Sequence, residues 1–484
     1  MKNLVRYGLI LVLAAGLAAC GGSGNDENNN GVSGCDPLNP DCSSKLVCEA
    51  VQGGGYQCFA PLVIEGQVLE FKYSSPVTGA LIQAVDSNGV AVGTSGESDA
   101  DGDFDLTVPA TRDAQGKPVE GTYILRVQAS GYEPFPTPVR PALPVYAVSA
   151  TYSVGATGSV YDLVIKGGQT TVKLIPVAGN PDLLASISGT IRAEHPAGVL
   201  VLAEGSRSFP GYSGSKGEYT IFNVDKGDYT VNGYAAGLQL APAYVTVTAG
   251  QKKTGVDLAE LDKPLNSVTG TVQIVNAPGG AKTSVVLAVE STYVENAARG
   301  EVPPGLRAGD VTGSFSIAGI PDGRYVVLAA FENDGLVRDP DQTIGGTSLV
   351  HIEVPDPADG ITVTITEGFK VTGALDVIEP GAEGPEAITS PVPVFKWADD
   401  SSEDGYEISV YDTYGNQVTS TEIGPVSGID SVEFKYAGPA LEEGMFYQFK
   451  AASFKEQKQG KNGPVTRTWI STTEDLKGVF YYLP

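Results

Sequence analysis

Histidine is nearly missing from this chain, with two residues in 484. His195 precedes Pro196, and His351 sits in the alternating run Leu349-Val-His-Ile-Glu-Val354. Neither belongs to an H-E-x-x-H or H-x-x-E pair, which excludes the helix-borne zinc chemistry that such spacing supports. Basic residues are also scarce: 31 Lys and Arg against 57 Asp and Glu, a net charge of −26, with no basic cluster. Phosphate backbones are held by clustered cations, so nucleic acid is set aside as a partner. Long apolar runs are confined to the N-terminus, and no later segment approaches the ~18 residues of a membrane-spanning helix. A G-x-S-x-G elbow is missing; Gly211-Tyr-Ser213-Gly-Ser is one residue out of register. Phosphate-cradling and dinucleotide-binding glycine patterns are missing too. Carboxylates are so plentiful that no single pair stands out as a glycosidase signal. Sustained helical periodicity is not found beyond the N-terminus, which leaves strands as the building material.

What is present begins with a three-part export signal. Lys2 and Arg6 form a positive start, Leu9 to Ala15 a short apolar run, and Leu17-Ala18-Ala19-Cys20 a small-residue close. The run is too short for a permanent span. Leu-Ala-Ala-Cys resembles the bacterial lipobox. That resemblance implies cleavage of a signal peptide 1–19, diacylglyceryl on the Cys20 sulfur and acyl on its new amine. Several acyl chains hold a membrane stably, since each buried CH₂ contributes about 0.8 kcal/mol. Gly21, a residue other than Asp after the lipidated cysteine, resembles the outer-membrane sorting pattern of Gram-negative lipoproteins. Residues 20–34 have nothing to bury and read as a flexible tether.

Residues 35–60 hold Cys35, Cys42, Cys48 and Cys58, spaced C-x6-C-x5-C-x9-C. An even, dense set in an exported chain predicts two disulfides stapling a segment too small for its own core. Three connectivities are open. A zinc site is the alternative, disfavoured because C-x₂-C spacing is absent.

The middle of the chain repeats a three-part pattern three times. A Gly-interrupted strand opens each copy: Val63 to Val68 around Gly66, Ser186 to Ile191 around Gly189, and Ser267 to Val272 around Gly270. A turn follows in which Gly stands two residues before an aromatic: Gly102-Asp-Phe104, Gly217-Glu-Tyr219 and Gly313-Ser-Phe315. Gly-x-Tyr then leads an alternating strand: Gly121-Thr-Tyr123, Gly227-Asp-Tyr229 and Gly323-Arg-Tyr325. Glycine in the turn predicts a positive φ, and period-2 alternation predicts strands with one buried face. Strands spaced by about ten residues with Gly/Asp/Asn turns predict antiparallel β-sandwiches.

These residues resemble carboxypeptidase regulatory-like domains, the transthyretin-like (prealbumin-like) sandwiches related to adhesin B-type repeats. The resemblance implies non-catalytic attachments, and the chain holds no ligands for metallocarboxypeptidase chemistry. Some adhesin repeats carry Lys–Asn isopeptide bonds; the strands Ile187–Ala193 and Val268–Val275 lack lysine, so none is expected. The copies fall at 62–178, which includes a Pro/Tyr-rich extension, at 185–260 and at 267–368. From Ala382 the pattern changes. Pro391-Val-Pro-Val-Phe-Lys-Trp397 and Phe446-Tyr447-Gln-Phe449-Lys-Ala451 resemble two strands of a fibronectin type III domain, which implies a fourth sandwich at 382–484 with Trp397 in its core.

The fold expected is therefore all-β: tandem antiparallel sandwiches after a signal peptide and a small disulfide-stapled segment. Placed end to end, four such domains would reach on the order of 100 Å. Asp99, Asp101, Asp103 and Asp105 alternate through a turn and are a weak calcium candidate, with Gly one place early for an EF-hand loop. Pro134 to Pro144 and the strands with Tyr146, Tyr152 and Tyr161 form either a returning linker or a ligand platform. No catalytic residue and no cofactor is expected. The functional expectation is a non-enzymatic, membrane-anchored surface or envelope lipoprotein whose sandwiches serve as a structural, adhesive or binding scaffold. Its partners would be the membrane, through lipid, and a protein or polysaccharide ligand. The alternative is a carbohydrate-binding module protein.

Overall fold

In the computed structural model, the described residues are 34–37, 42–43, 46–86, 91–137, 140, 142–154, 161–275, 281–294, 299–329, 336–338, 349–354, 360–366, 369–400, 402–426, 428–458, 463, 465–474 and 476–484. The signal peptide, Cys20 and the tether up to residue 33 lie outside them. The described residues form an all-β protein in which a small disulfide-linked hairpin precedes four two-sheet sandwiches.

The repeat has a packing explanation. Leu62–Glu70, Ala185–Arg192 and Asn266–Val275 open the first three sandwiches, and each pairs with the strand that carries the aromatic. The registers place Gly66 opposite Phe104, Gly189 opposite Tyr219 and Gly270 opposite Phe315. Each ring lies over its glycine. A Cβ at Gly66 would fall 2.3 Å from the Phe104 ring, and one at Gly270 would fall 2.8 Å from Phe315. At Gly189 the tightest neighbour would be the Val256 carbonyl oxygen, at 1.8 Å. The first two parts of the repeat are therefore one cross-strand contact.

Gly-x-Tyr works the same way along a single strand, because residues i and i+2 share a face. A Cβ at Gly121 would sit 2.4 Å from the Tyr123 hydroxyl oxygen, and one at Gly323 would sit 3.1 Å from Tyr325. The tyrosine hydroxyls turn back onto the main chain. Tyr229 donates to the Asp225 carbonyl at 3.0 Å, Tyr325 to that of Pro321 at 2.8 Å, and Tyr123 to that of Pro109. Each bond ties a strand to main chain that precedes it in sequence.

Two expectations need correction and one gains an addition. First, the antiparallel sheets are there as expected, but they also carry parallel strands. Each opening strand is also joined by parallel partners from the end of its own sandwich: Thr171–Leu174, Leu258–Ala259 and Phe369–Gly373 among them. A chain that crosses from the second sheet back to the first returns in the same direction, as parallel pairing requires. The Pro-rich stretch after Tyr132 is part of such a return: Val145–Tyr146 pairs with Thr122–Gln128, and Tyr161–Ile165 with Leu62–Glu70. Second, Gly102 and Gly217 have positive φ (78° and 86°), but Gly313 does not. In the third copy Asp310 takes the left-handed conformation (φ 56°), which a short polar side chain tolerates.

Third, the sandwiches do not string out in a row. Leu200, Leu202 and Tyr234 of the second share one core with Val285, Leu287 and Tyr325 of the third. Tyr234 and Tyr325 meet edge to face at 6.2 Å. The strand Leu200–Glu204 is buried on both faces, which is why it reads as the unbroken apolar run Val199 to Ala203. The first sandwich also touches the fourth: the Tyr146 hydroxyl donates to the Leu476 carbonyl at 2.5 Å, and Thr413 Oγ1 to that of Gly168 at 2.9 Å. Side chains on the domain surfaces, invisible to periodicity, decide this folding back.

In the fourth sandwich Trp397 is fully buried, edge-on to Tyr406 at 5.5 Å, while Phe395 stacks on Phe449 at 4.6 Å.

Overpacking against the Thr170 carbonyl and the Phe104 ring makes Gly66→Ala the costly substitution, at about 1–3 kcal/mol. Gly313→Ala, with open space and no left-handed φ, should change stability by less than about 0.5 kcal/mol. Urea midpoints of the two full-length variants check the contrast; equal shifts would refute the packing account.

Candidate functional site

The best-built local arrangement adjoins the N-terminal end of the described body. Val47–Ala50 and Tyr56–Phe59 form a hairpin in which Cys48 and Cys58 face each other without bonding. Disulfides join Cys35 to Cys48 and Cys42 to Cys58, which selects one of the three connectivities. The sulfurs of Cys35, Cys42 and Cys58 lie within 4.8 Å of one another, the one cluster of close ligand atoms among the described residues. Both S–S bonds consume those thiols, so they do not act as zinc ligands. Loops of this size contribute about 3 kcal/mol each by restricting the unfolded chain.

The hairpin is fastened to the first sandwich by a buried ion pair. Arg112 is fully buried and Glu49 nearly so, and Arg112 Nε donates to Glu49 Oε2. Glu49 Oε1 accepts from the Ala110 amide at 3.2 Å. The other guanidinium nitrogens donate to the Gly116 and Ala60 carbonyls, each at 3.2 Å. Burial pushes the Glu49 carboxyl above its ordinary range, while Arg112 pulls it back. The Gln52 amide donates to the Arg112 carbonyl at 2.7 Å, so main chain joins main chain as well. Sequence reasoning missed this pair, because one Glu in a Cys-rich stretch and one Arg 63 residues away carry no local signal.

The Asp-rich turn is explained by its backbone. Asp99 Oδ1 accepts from the amides of Asp101 and Asp103, both at 2.9 Å. The same D-x-x-G-x arrangement recurs at Asp113, which accepts from Gln115 and Lys117, and at Asp412, which accepts from Tyr414 and Asn416. Gly102, Gly116 and Gly415 all supply the positive φ. The two later turns do without the extra carboxylates, so Asp and Gly are enough to make the turn. Asp101, Asp103 and Asp105 are exposed, and the four carboxylates do not converge to ligand distance. Partial burial, with Glu65 nearby, pushes the Asp105 carboxyl up.

Of the three tyrosines considered for a ligand platform, Tyr146 stands apart from the other two. Tyr146 and Tyr152 belong to different sheets, and the Tyr146 hydroxyl is taken up by the contact with the fourth sandwich. Tyr152 is exposed; Tyr161 pairs with Val154, and its side chain lies outside the described residues. The two histidines stand on different sandwiches. His195 is exposed, and His351 Nδ1 lies 2.7 Å from Glu290 Oε1, a carboxylate that Arg324 Nε also contacts at 2.5 Å.

No family model matches the chain, and no curated protein matches it. Solved structures overlay on it distantly. The TIE protein of Bacillus anthracis is 11% identical, over 92% of this chain and 76% of that one, at a TM-score of 0.15. BcpA, the major pilin subunit of Bacillus cereus, is 11% identical over 64% of this chain and 99% of its own, at 0.17. A DUF3823 family protein from Bacteroides ovatus is 11% identical over 45% of this chain and 99% of its own, at 0.20. Overlays at such scores do not establish a common fold.

Two predictions follow from this geometry. Arg112→Met strands the Glu49 charge and should cost about 3–5 kcal/mol, whereas Glu49→Leu with Arg112→Met should recover most of the loss. Thermal unfolding and protease cleavage after the hairpin measure both. Asp99→Ala should cost about 1 kcal/mol through its lost backbone bonds, equally in calcium and in EDTA. A calcium-dependent difference in urea midpoint would restore the metal reading.

Proposed function

We propose that this protein is a lipid-anchored, non-catalytic scaffold of the bacterial cell envelope, held by acyl chains on Cys20. The supporting observation is the junction just after the tether. Two disulfides staple the segment nearest the anchor onto the hairpin, and the buried Glu49–Arg112 pair fastens that hairpin to the first sandwich. A pull on the lipid would pass into a covalently stapled hairpin and from there into a body of mutually packed sandwiches. No helix among the described residues is long and apolar enough to cross a membrane. Gly21 after the anchor favours the outer membrane of a Gram-negative host.

Feeding cells a labelled fatty acid tests the anchor. The natural chain should take up label and sediment with membranes; Cys20→Ser should lose the label and become soluble. Retained label in the variant would overturn the reading. Protease treatment of intact cells then assigns the body to the medium, if it is digested, or to the periplasm, if it is protected.

A further inference from the structure

The fourth sandwich meets the first through one end of its own fold. Three of its loops lie there: the turn 412–416 after Gly405–Asp412, the loop 441–445 before Phe446–Lys458, and the loop 473–478 before Val479–Tyr482. The registers, Asp412 opposite Tyr447 and Gln448 opposite Val479, bring them to the same end. On the first sandwich their partners come from the Pro/Tyr-rich extension. The Tyr146 hydroxyl donates to the Leu476 carbonyl at 2.5 Å, Thr413 Oγ1 donates to the Gly168 carbonyl at 2.9 Å, and the Lys173 ammonium lies 4.6 Å from the centre of the Tyr414 ring. A Cβ at Gly168 would lie 3.3 Å from the Gly444 carbonyl oxygen and 3.5 Å from the Phe446 ring. Main chain can approach this closely because residue 168 has no side chain.

This joint is built unlike the other three. The second and third sandwiches share one core. The third and fourth follow each other directly in the chain, where the Leu375 amide donates to the Thr472 carbonyl at 3.0 Å and the Ser471 hydroxyl to that of Gly373 at 2.7 Å. The first and second are also consecutive, and Asn223 fastens them with three hydrogen bonds. The two hydrogen bonds between the first and fourth join residues 330 and 245 positions apart. Among the described residues no core cluster spans this joint, and the first and fourth cores stay separate.

Two physical consequences follow. A joint of hydrogen bonds and a cation–π contact exchanges its partners for water on separation, whereas a shared apolar core resists it. Domains whose interface is neither large nor apolar are expected to move relative to one another. Phe446 stacks on Tyr481 of its own sandwich at 4.7 Å, so its ring keeps a partner when the joint opens. Opening this joint alone leaves the four sandwiches connected in series, and a closed ring becomes an open row. Tension along the molecule would also fall on it first. The hairpin at the anchor end is fastened to the first sandwich, and the Tyr482 carbonyl on the last strand accepts from the Gly444 amide beside Gly168. The direct path between those two points crosses the joint and bypasses the second and third sandwiches.

We propose that the extension of the first sandwich and the loop end of the fourth form a clasp that releases as a unit under tension, before any sandwich unfolds, and closes again when the tension drops. The extension thereby gives the scaffold a reversible reserve of length. The use of such a reserve rests on the scaffold reading above, but the clasp does not depend on lipid at Cys20. Failure of the clasp and failure of membrane attachment are therefore separate results.

The test is single-molecule pulling on the full chain, made free of lipid by Cys20→Ser and held by handles at its two ends. The first event should be a short, reversible lengthening that precedes the unfolding of the sandwiches. Gly168→Trp places a ring in the space held by Gly444 and Phe446, at a backbone position without a left-handed φ, and should abolish that event while the later unfolding steps remain. Tyr146→Phe loses only the hydroxyl that reaches Leu476 and should lower the force of the event, again with the later steps unchanged. This milder variant tells loss of the clasp apart from a folding defect in the first. A natural chain without an early lengthening overturns the proposal, as does an early lengthening that both substitutions leave unchanged.

Discussion

An aromatic ring laid over a glycine on the neighbouring strand is the contact on which the first three sandwiches depend. Phe104 over Gly66, Tyr219 over Gly189 and Phe315 over Gly270 each lock the opening strand to its partner. The lock is specific because strand side chains alternate with a period of two; a slip of one residue would turn the ring to the other face. With that register held, Ile64, Ile187 and Val268 all point inward and are fully buried. The far side of the same strand is then free to take the parallel strand that returns from the end of each sandwich. Glycine here serves through the absence of a side chain rather than through unusual backbone angles.

The second constraint is how the sandwiches are tied together. Exposed ion pairs such as Lys166–Glu65 or Lys282–Asp310 contribute little, because water and salt screen them. The joints between sandwiches are hydrogen-bonded and partly buried, with the Ser291 contact at the exposed edge. Glu204 accepts from Asn232 and Tyr234 of its own sandwich and, at 2.6 Å, from Ser291 of the third. Asn223 of the second donates to the carbonyls of Ala129 and Tyr132 in the first and accepts from the Gly131 amide. Arg126, Tyr212 and Glu301 bring three sandwiches to one point. These contacts, with the shared core of the second and third, turn a tandem array into a folded-back body. At the same joint Gln83 and Gln128 reach across to the carbonyls of Ser213 and Pro210.

Much of the fold was legible from local pattern. Tyr123-Ile-Leu-Arg-Val127 alternates as written, with Tyr123, Leu125 and Val127 buried. Trp397 marks the fourth core. The density and even number of cysteines implied two staples, but their pairing needed the hairpin that sets Cys48 opposite Cys58 and leaves each to bond with the preceding segment. The Asp-rich turn was ambiguous because Asp supports both cation binding and backbone turns. Comparison of three D-x-x-G-x turns in one molecule favours the turn.

By itself, then, the sequence determined the all-β class, the glycine-and-aromatic grammar of the repeats, the stapled segment and the expectation of an anchor at Cys20. Each depends on residues close together in the chain, where spacing alone carries the physics. Tertiary structure decided the parallel closing strands, the Glu49–Arg112 weld, the fusion of the second and third cores and the glutamine contacts between the first and second sandwiches. Those depend on pairs far apart in sequence, such as Glu49 with Arg112 or Gln128 with Pro210, whose meeting is set by how sheets stack and not by any local period.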